Sequence, residues 1–237
     1  MLGNDSKHEL PQWLWLWLVV GLVAFQLLTR FFFPEIASAQ LESEGGISEN
    51  GTVILLIFAL SAFGYIVVNR AYLPNRKLFY WFLLTGLGCF FFAGEEASWG
   101  QHWFGWETPD GFKGLNDQEE TNLHNMSSWL DQKPRTLVEI GAIVGGILYP
   151  LYRRFKSREF EEFSWQAFFW PSWVCLPVAL VIGLVKIPHR LVGTENLPDF
   201  LKMNASEVQE GFVALGFLIY FLSVAVRLYR LKNQSLA

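Results

Sequence analysis

Apolar residues in this chain run in long uninterrupted blocks. Six windows, residues 10–29, 50–69, 78–94, 136–152, 163–185 and 211–226, hold 113 of the 237 residues and a single charge, Glu139. The other 124 residues carry 39 charges. A helix needs about 20 apolar residues to cross about 30 Å of hydrocarbon, and it satisfies its own backbone polar groups, so each window predicts a membrane-spanning helix. The pattern predicts an all-α polytopic membrane bundle, one domain over residues 1–237, with six transmembrane helices at about 12–33, 51–69, 77–99, 136–153, 165–188 and 207–230. Residues 95–135 form the longest polar stretch and contain Trp99, Trp103, Trp106 and Trp129. Loops longer than about 12 to 15 residues are functional or disordered. This one is too aromatic for disorder, so it reads as a Trp-rich outer-face cap between the third and fourth helices.

Charge fixes the expected orientation. With the amino terminus in the cytoplasm, the inside segments hold 11 basic and 5 acidic residues, and the outside segments 7 basic and 17 acidic. Each even-numbered crossing then ends in a basic cluster: Arg70, Arg76 and Lys77; Arg153, Arg154, Lys156 and Arg158; Arg227, Arg230 and Lys232. This repeated positive-inside pattern places both termini in the cytoplasm. Ala37-Ser38-Ala39 has the small-x-small form of a signal-peptidase site, but Asp5, Lys7 and Glu9 do not make a positive n-region, so a retained first helix is expected. The net charge of −4 without a basic block excludes a nucleic-acid binder. Cys89 and Cys175 fall in mid-span, away from any outer-loop disulfide.

Local signals refine the helices. Trp13, Trp15 and Trp17 form an aromatic cluster suited to a membrane interface. Gly141-x-x-x-Gly145 predicts close helix contact, and Pro171 and Pro177 predict a bent fifth helix. Ser206-x-x-Gln209 reads as a capping box opening the sixth helix, with Glu207 and Glu210 in a first turn that favours carboxylates.

The unusual ionisable residues converge on the outer interface: Glu95, Glu96, His102, Glu119, Glu120, His124, Glu139, His189, Glu207 and Glu210. If the third helix continues past the membrane, Glu95, Trp99 and His102 share a face at i, i+4, i+7, and Glu120 and His124 pair at i, i+4 on a second short helix. Two carboxylates and two imidazoles from two helices suit zinc or non-haem iron, so Glu95, His102, Glu120 and His124 are the candidate metal ligands. Glu95, Glu96, Glu120 and Glu139 are the candidate catalytic carboxylates. Glu139 stands out because an ionisable group within a membrane span costs about 2.5 to 3.5 kcal/mol at the centre and less near the edge. The competing reading of Glu119 and Glu120 is as first-turn carboxylates, and of His189 beside Arg190 as a helix-end marker.

The segments Gly94-Glu-Glu-Ala-Ser-Trp-Gly-Gln101, Phe104-Gly-Trp-Glu-Thr-Pro109 and Glu120-Thr-Asn-Leu-His-Asn125 resemble the signature of an uncharacterised family of bacterial multi-pass membrane proteins. The resemblance covers about 32 residues. It implies that this stretch is the family's signature region and that the chain sits in a bacterial inner membrane; it carries over no activity. Intramembrane lipid amidases of the alkaline ceramidase type also place a histidine and carboxylate zinc site among membrane helices, but their ordered Ser, Asp and His motifs have no clear match here.

The expected function is a membrane-embedded, metal-dependent hydrolase or transferase acting on a lipid or lipid-linked substrate at the outer interface. The alternative is a non-catalytic subunit or assembly factor that docks a membrane protein partner through the aromatic cap, its acids paired with Lys186, Arg190 or Arg135. A small transporter is third, disfavoured by the absence of a repeat and of a second mid-membrane charge.

Overall fold

The computed structural model describes residues 10–41, 46–109, 111, 128–157 and 160–236, with the side chains of residues 102, 128–132 and 236 excepted. All regular structure among the described residues is helical. Five helices are long and apolar enough to cross a membrane: α1 (Trp13–Phe32), α2 (Ile47–Val68), α3 (Arg76–Glu96), α5 (Trp165–Val192) and α6 (Ala205–Leu236). Between α3 and α5 lies α4, residues 128–155, in which α-helical Ser128–Gly141 and Tyr149–Phe155 flank a π-helical stretch, Ala142–Leu148.

α6 is the axis of the bundle. In its most apolar window 61% of residues are buried, against 17% for α1. It packs against α2 and α5, and α2 packs in turn against α3. Thr52, Leu56, Ala59, Ala62 and Ile66 are buried in α2 at every third or fourth position and, with Val53 beside them, form one stripe. The buried stripe of α3 runs Leu78, Phe82, Gly86, Cys89 and, two turns further, Glu96. Its last position on a core-facing line is therefore a carboxylate. The outward faces remain apolar, with Phe25, Leu28, Ile54, Phe58, Leu84 and Leu87 all exposed. Such a surface is stable against hydrocarbon rather than water.

Three local expectations are corrected. α3 stops at Glu96, not near residue 99, because Ser98 and Trp99 adopt φ of 43° and 55°. The cap of α6 is Asn204, not Ser206: Asn204 Oδ1 accepts the Glu207 amide at 3.4 Å, which places Ser206 inside the helix. Of the close helix contact expected at Gly141 and Gly145, Gly145 does lie against Pro171 of α5, where an added Cβ would stand 3.4 Å from the ring, while one on Gly141 would meet nothing; the tightest point is Gly146, 2.5 Å from Ala179 Cβ by the same measure. The π-helical stretch changes the angular step per residue and turns Gly146 towards α5.

α5 breaks where its prolines predict. Trp165–Phe169 ends before Pro171, a 3-10 turn follows at Trp173–Cys175, and Pro177 lies in the first turn of Leu176–Leu184, where its missing N–H matters least. The break releases backbone carbonyls inside the bundle. Tyr220 of α6 meets them: its hydroxyl donates to Phe169 O at 2.9 Å and accepts Trp81 Nε1 of α3 at 2.9 Å. One hydroxyl thus ties three helices together at a point where water is scarce.

Candidate functional site

The amino ends of α2, α4 and α6 and the carboxyl ends of α3 and α5 meet at one end of the bundle, and each brings charge there. The contributors are Glu49 from α2, Glu95 and Glu96 from α3, Arg135 and Glu139 from α4, Lys186 and Arg190 from α5, and Glu207 and Glu210 from α6. Among these described contributors six are carboxylates and three are cations, a local excess of negative charge.

Glu96 is 7% exposed and lies within electrostatic reach of Glu210, Glu49, Glu207 and Arg135. It is buried because it closes the core-facing stripe of α3. Arg135 Nη2 sits 2.5 Å from Glu210 Oε1, with side-chain exposures of 29% and 12%. That guanidinium serves two buried acids from two helices. A charge taken from water without such a partner is strongly disfavoured.

Glu139 forms a two-pronged pair with Arg190, Nη1 to Oε1 at 3.0 Å and Nη2 to Oε2 at 3.2 Å. The parallel geometry is the strong form of an Arg–carboxylate contact. The Gln209 amide lies beside Glu139, and its Nε2 donates to Ile182 O of α5 at 2.7 Å. The one charged group of the fourth apolar window is therefore matched by a cation from the next helix. Arg190 reaches it from the last turn of Ile187–Val192, where basic side chains favour the helix dipole. His189, in the same turn, places Nδ1 3.2 Å from Thr194 Oγ1 and marks the helix end.

Glu95, only 3% exposed, belongs to a second construction. The chain reverses at Ser98 and Trp99, and the Trp99 indole folds back over the end of α3. Its Nε1 donates to Glu95 Oε1 at 2.7 Å, and its ring meets Phe90 and Phe91 edge-on. Gly94 makes room: a Cβ there would come 2.8 Å from the indole. Gly100, at φ +98°, lies under Trp106, which stacks on Phe104 with centroids 5.8 Å apart. Gln101 Nε2 donates to Thr108 Oγ1 at 2.8 Å, and Trp103 Nε1 reaches Asn50 Oδ1 of α2 at 3.2 Å. The two motifs at residues 94–101 and 104–109 thus form one interlocked unit, with Glu95 fixed beneath it.

Replacing Gly94 by Ala is expected to lower stability by about 1 to 3 kcal/mol, the usual penalty for overpacking. Because the clash is with Trp99, the G94A/W99A double variant should be no less stable than W99A alone in a thermal-unfolding cycle. Additive losses would mean that Gly94 acts through some other contact.

The structure brings Glu95, Glu96 and Glu139 to the same end of the bundle. The i, i+4, i+7 face expected for Glu95, Trp99 and His102 is not a helical face: the left-handed turn intervenes, and His102 belongs to a separate short helix, Gln101–Phe104. Glu119, Glu120 and His124 lie outside the described residues. Among the described residues no group of three or more His, Cys, Asp or Glu side chains is spaced to hold a metal ion. The acids of this layer interact electrostatically without converging at ligand distance.

Sequence reasoning missed Glu49, which precedes a charge-free window by one residue, and read Gln209 only as part of a cap. Neither has a local signal for its role, because each acts across helices. No protein-family model, curated protein or solved structure matches the chain.

Proposed function

We propose that the chain is a six-span enzyme of a bacterial inner membrane, with both termini cytoplasmic, acting on a lipid or lipid-linked substrate at the outer interface as a metal-dependent hydrolase or transferase. In this reading α4 is the sixth span, its one charged group neutralised by Arg190, and residues 95–135 cap the acidic end. The observation that carries the proposal is the surplus of carboxylate around buried Glu96, where Glu49, Glu207 and Glu210 lie within electrostatic reach against the cation of Arg135, which favours a further cation in the layer.

Carboxylate and imidazole donors suit zinc or iron, and Glu95, His102, Glu120 and His124 would hold the ion. A bound metal of this kind supplies a water with pKa near 7 and polarises a carbonyl or phosphoryl oxygen. The Trp99 indole on Glu95 is the type of outer hydrogen bond that orients a ligating carboxylate. Glu96, which has no indole partner among the described residues, would take the proton from the attacking water. Glu139, held by both oxygens on Arg190, would position helices rather than accept protons.

Metal content of the detergent-purified protein tests this. About one zinc or iron per chain is expected, lost in an E120Q/H124A variant and retained in E96Q. No metal in a folded wild-type sample would remove the metalloenzyme. A second reading, a non-catalytic subunit docking a membrane protein through the cap, is favoured by the two ion pairs Glu139–Arg190 and Glu210–Arg135 and by the exposure of Trp103, Phe104 and Trp106. It would then stand.

A further inference from the structure

At the opposite end of the bundle, the turn between α2 and α3 forms a cavity whose walls are Val68, Leu73, Phe79 and Tyr80 and whose charged lining is Arg70 and Arg76. Arg70 is held in place by its own turn: Nη1 donates to Val67 O at 3.2 Å and the guanidinium carbon lies 5.8 Å from the centroid of the Phe79 ring. No Asp or Glu occurs in the sequence between Glu49 and Glu95, so neither helix supplies a counter-charge at this end. Among the described residues no carboxylate pairs with Arg70, Arg76 or Lys77.

The placement of Arg76 and Lys77 is electrostatically adverse. They occupy the first turn of a 21-residue helix that has no acidic residue there, where the dipole is already positive. An anion seated between the two arginines would relieve that conflict. The rest of the cavity narrows the choice of anion. Val68 and Tyr80 are 78% and 67% exposed, and Leu84, one turn beyond Tyr80, is 66% exposed, so the apolar wall continues along the lipid-facing flank of α3. A free phosphate would leave that wall unused.

We infer that this cavity binds an anionic phospholipid, with Arg70 and Arg76 on the phosphate and Val68, Leu73 and Tyr80 against the first methylenes of an acyl chain. Guanidinium pairs recognise phosphate oxygens in a forked geometry, and basic pockets between membrane helices are established lipid-headgroup sites. The site is independent of the reading of the acidic end and uses none of its residues.

Native mass spectrometry of the detergent-purified full chain, titrated with phosphatidylglycerol and with phosphatidylcholine of the same acyl chains, tests it. Wild type should prefer phosphatidylglycerol by about 30-fold, the electrostatic share of two cations near the surface. R70Q/R76Q should lose the preference and R70K/R76K should keep most of it. Both are exposed positions, and equal unfolding temperatures would confirm that folding is unaffected. Equal binding of the two lipids by wild type, or an unchanged preference in R70Q/R76Q, would overturn the assignment. Displacement of phosphatidylglycerol by millimolar inorganic phosphate would also overturn it, by identifying a simple phosphate site.

Discussion

Arg135→Ala is expected to destabilise the protein by about 3 to 5 kcal/mol, because it removes the guanidinium paired with a buried carboxylate. The effect should exceed the usual one for an arginine 29% exposed, since the same guanidinium faces Glu210 at 2.5 Å and lies within electrostatic reach of Glu96. In a chain of 237 residues this corresponds to a fall of about 10 °C in the unfolding midpoint. The diagnostic result lies in the combinations. R135A/E210Q and R135A/E96Q should each recover part of the loss, because removing a carboxylate reduces the uncompensated charge. An R135A variant as stable as wild type, or no recovery in either combination, would mean that the acids of this layer are satisfied independently of Arg135.

Gly146→Leu should abolish accumulation of folded protein. An added Cβ at this position stands 2.5 Å from Ala179 Cβ, with backbone behind it, so α4 and α5 must separate before any further atoms are placed. Overpacking by one methyl costs about 1 to 3 kcal/mol, and a branched side chain on a helix seam exceeds that. Gly146→Ala gives the measurable form of the argument. Alone it should lower the unfolding midpoint; combined with Ala179→Gly, which moves the methyl to the other side of the seam, it should regain most of the stability. Gly141→Ala, which meets nothing, serves as the control and should raise stability slightly through helix propensity.

The contrast between Gly141 and Gly146 illustrates what the sequence could and could not reveal. Membrane-crossing helices were legible because hydrocarbon tolerates almost no charge: five helices long and apolar enough to cross fall where the charge-free windows lie. The proline break in α5 was legible for a similarly local reason. Gly145 on the seam was legible too, but the seam's tightest point, Gly146, was not, because the π-helical stretch at Ala142–Leu148 shifts the face by a step that no standard periodicity anticipates. The end of α3 departs from the local pattern for another reason. Trp99 is a poor candidate for a left-handed conformation, and it adopts φ 55° only because Gly94, Phe90 and Phe91 form a seat for its ring. Glu139 was recognisable as anomalous within its window. Its partner was not identifiable, since Arg190 is 51 residues away and reaches it only through the packing of α5 on α4. Pairings across helices depend on the fold and leave little trace in local pattern.

The Tyr220 hydroxyl has a consequence for motion. A proline break in a membrane helix is the usual place for a hinge, and α5 would be free to swing about residues 170–172 if its released carbonyls were solvated by mobile groups. Here they are bonded to a side chain of the central helix that is itself anchored to Trp81. Bending at that point would expose at least two polar groups to an apolar interior at once. The first segment of α5 is therefore pinned to α6 and α3 at the break, while the second segment has its own tie to α6, Gln209 Nε2 to Ile182 O, so a swing about residues 170–172 has to break a bond on one side or the other.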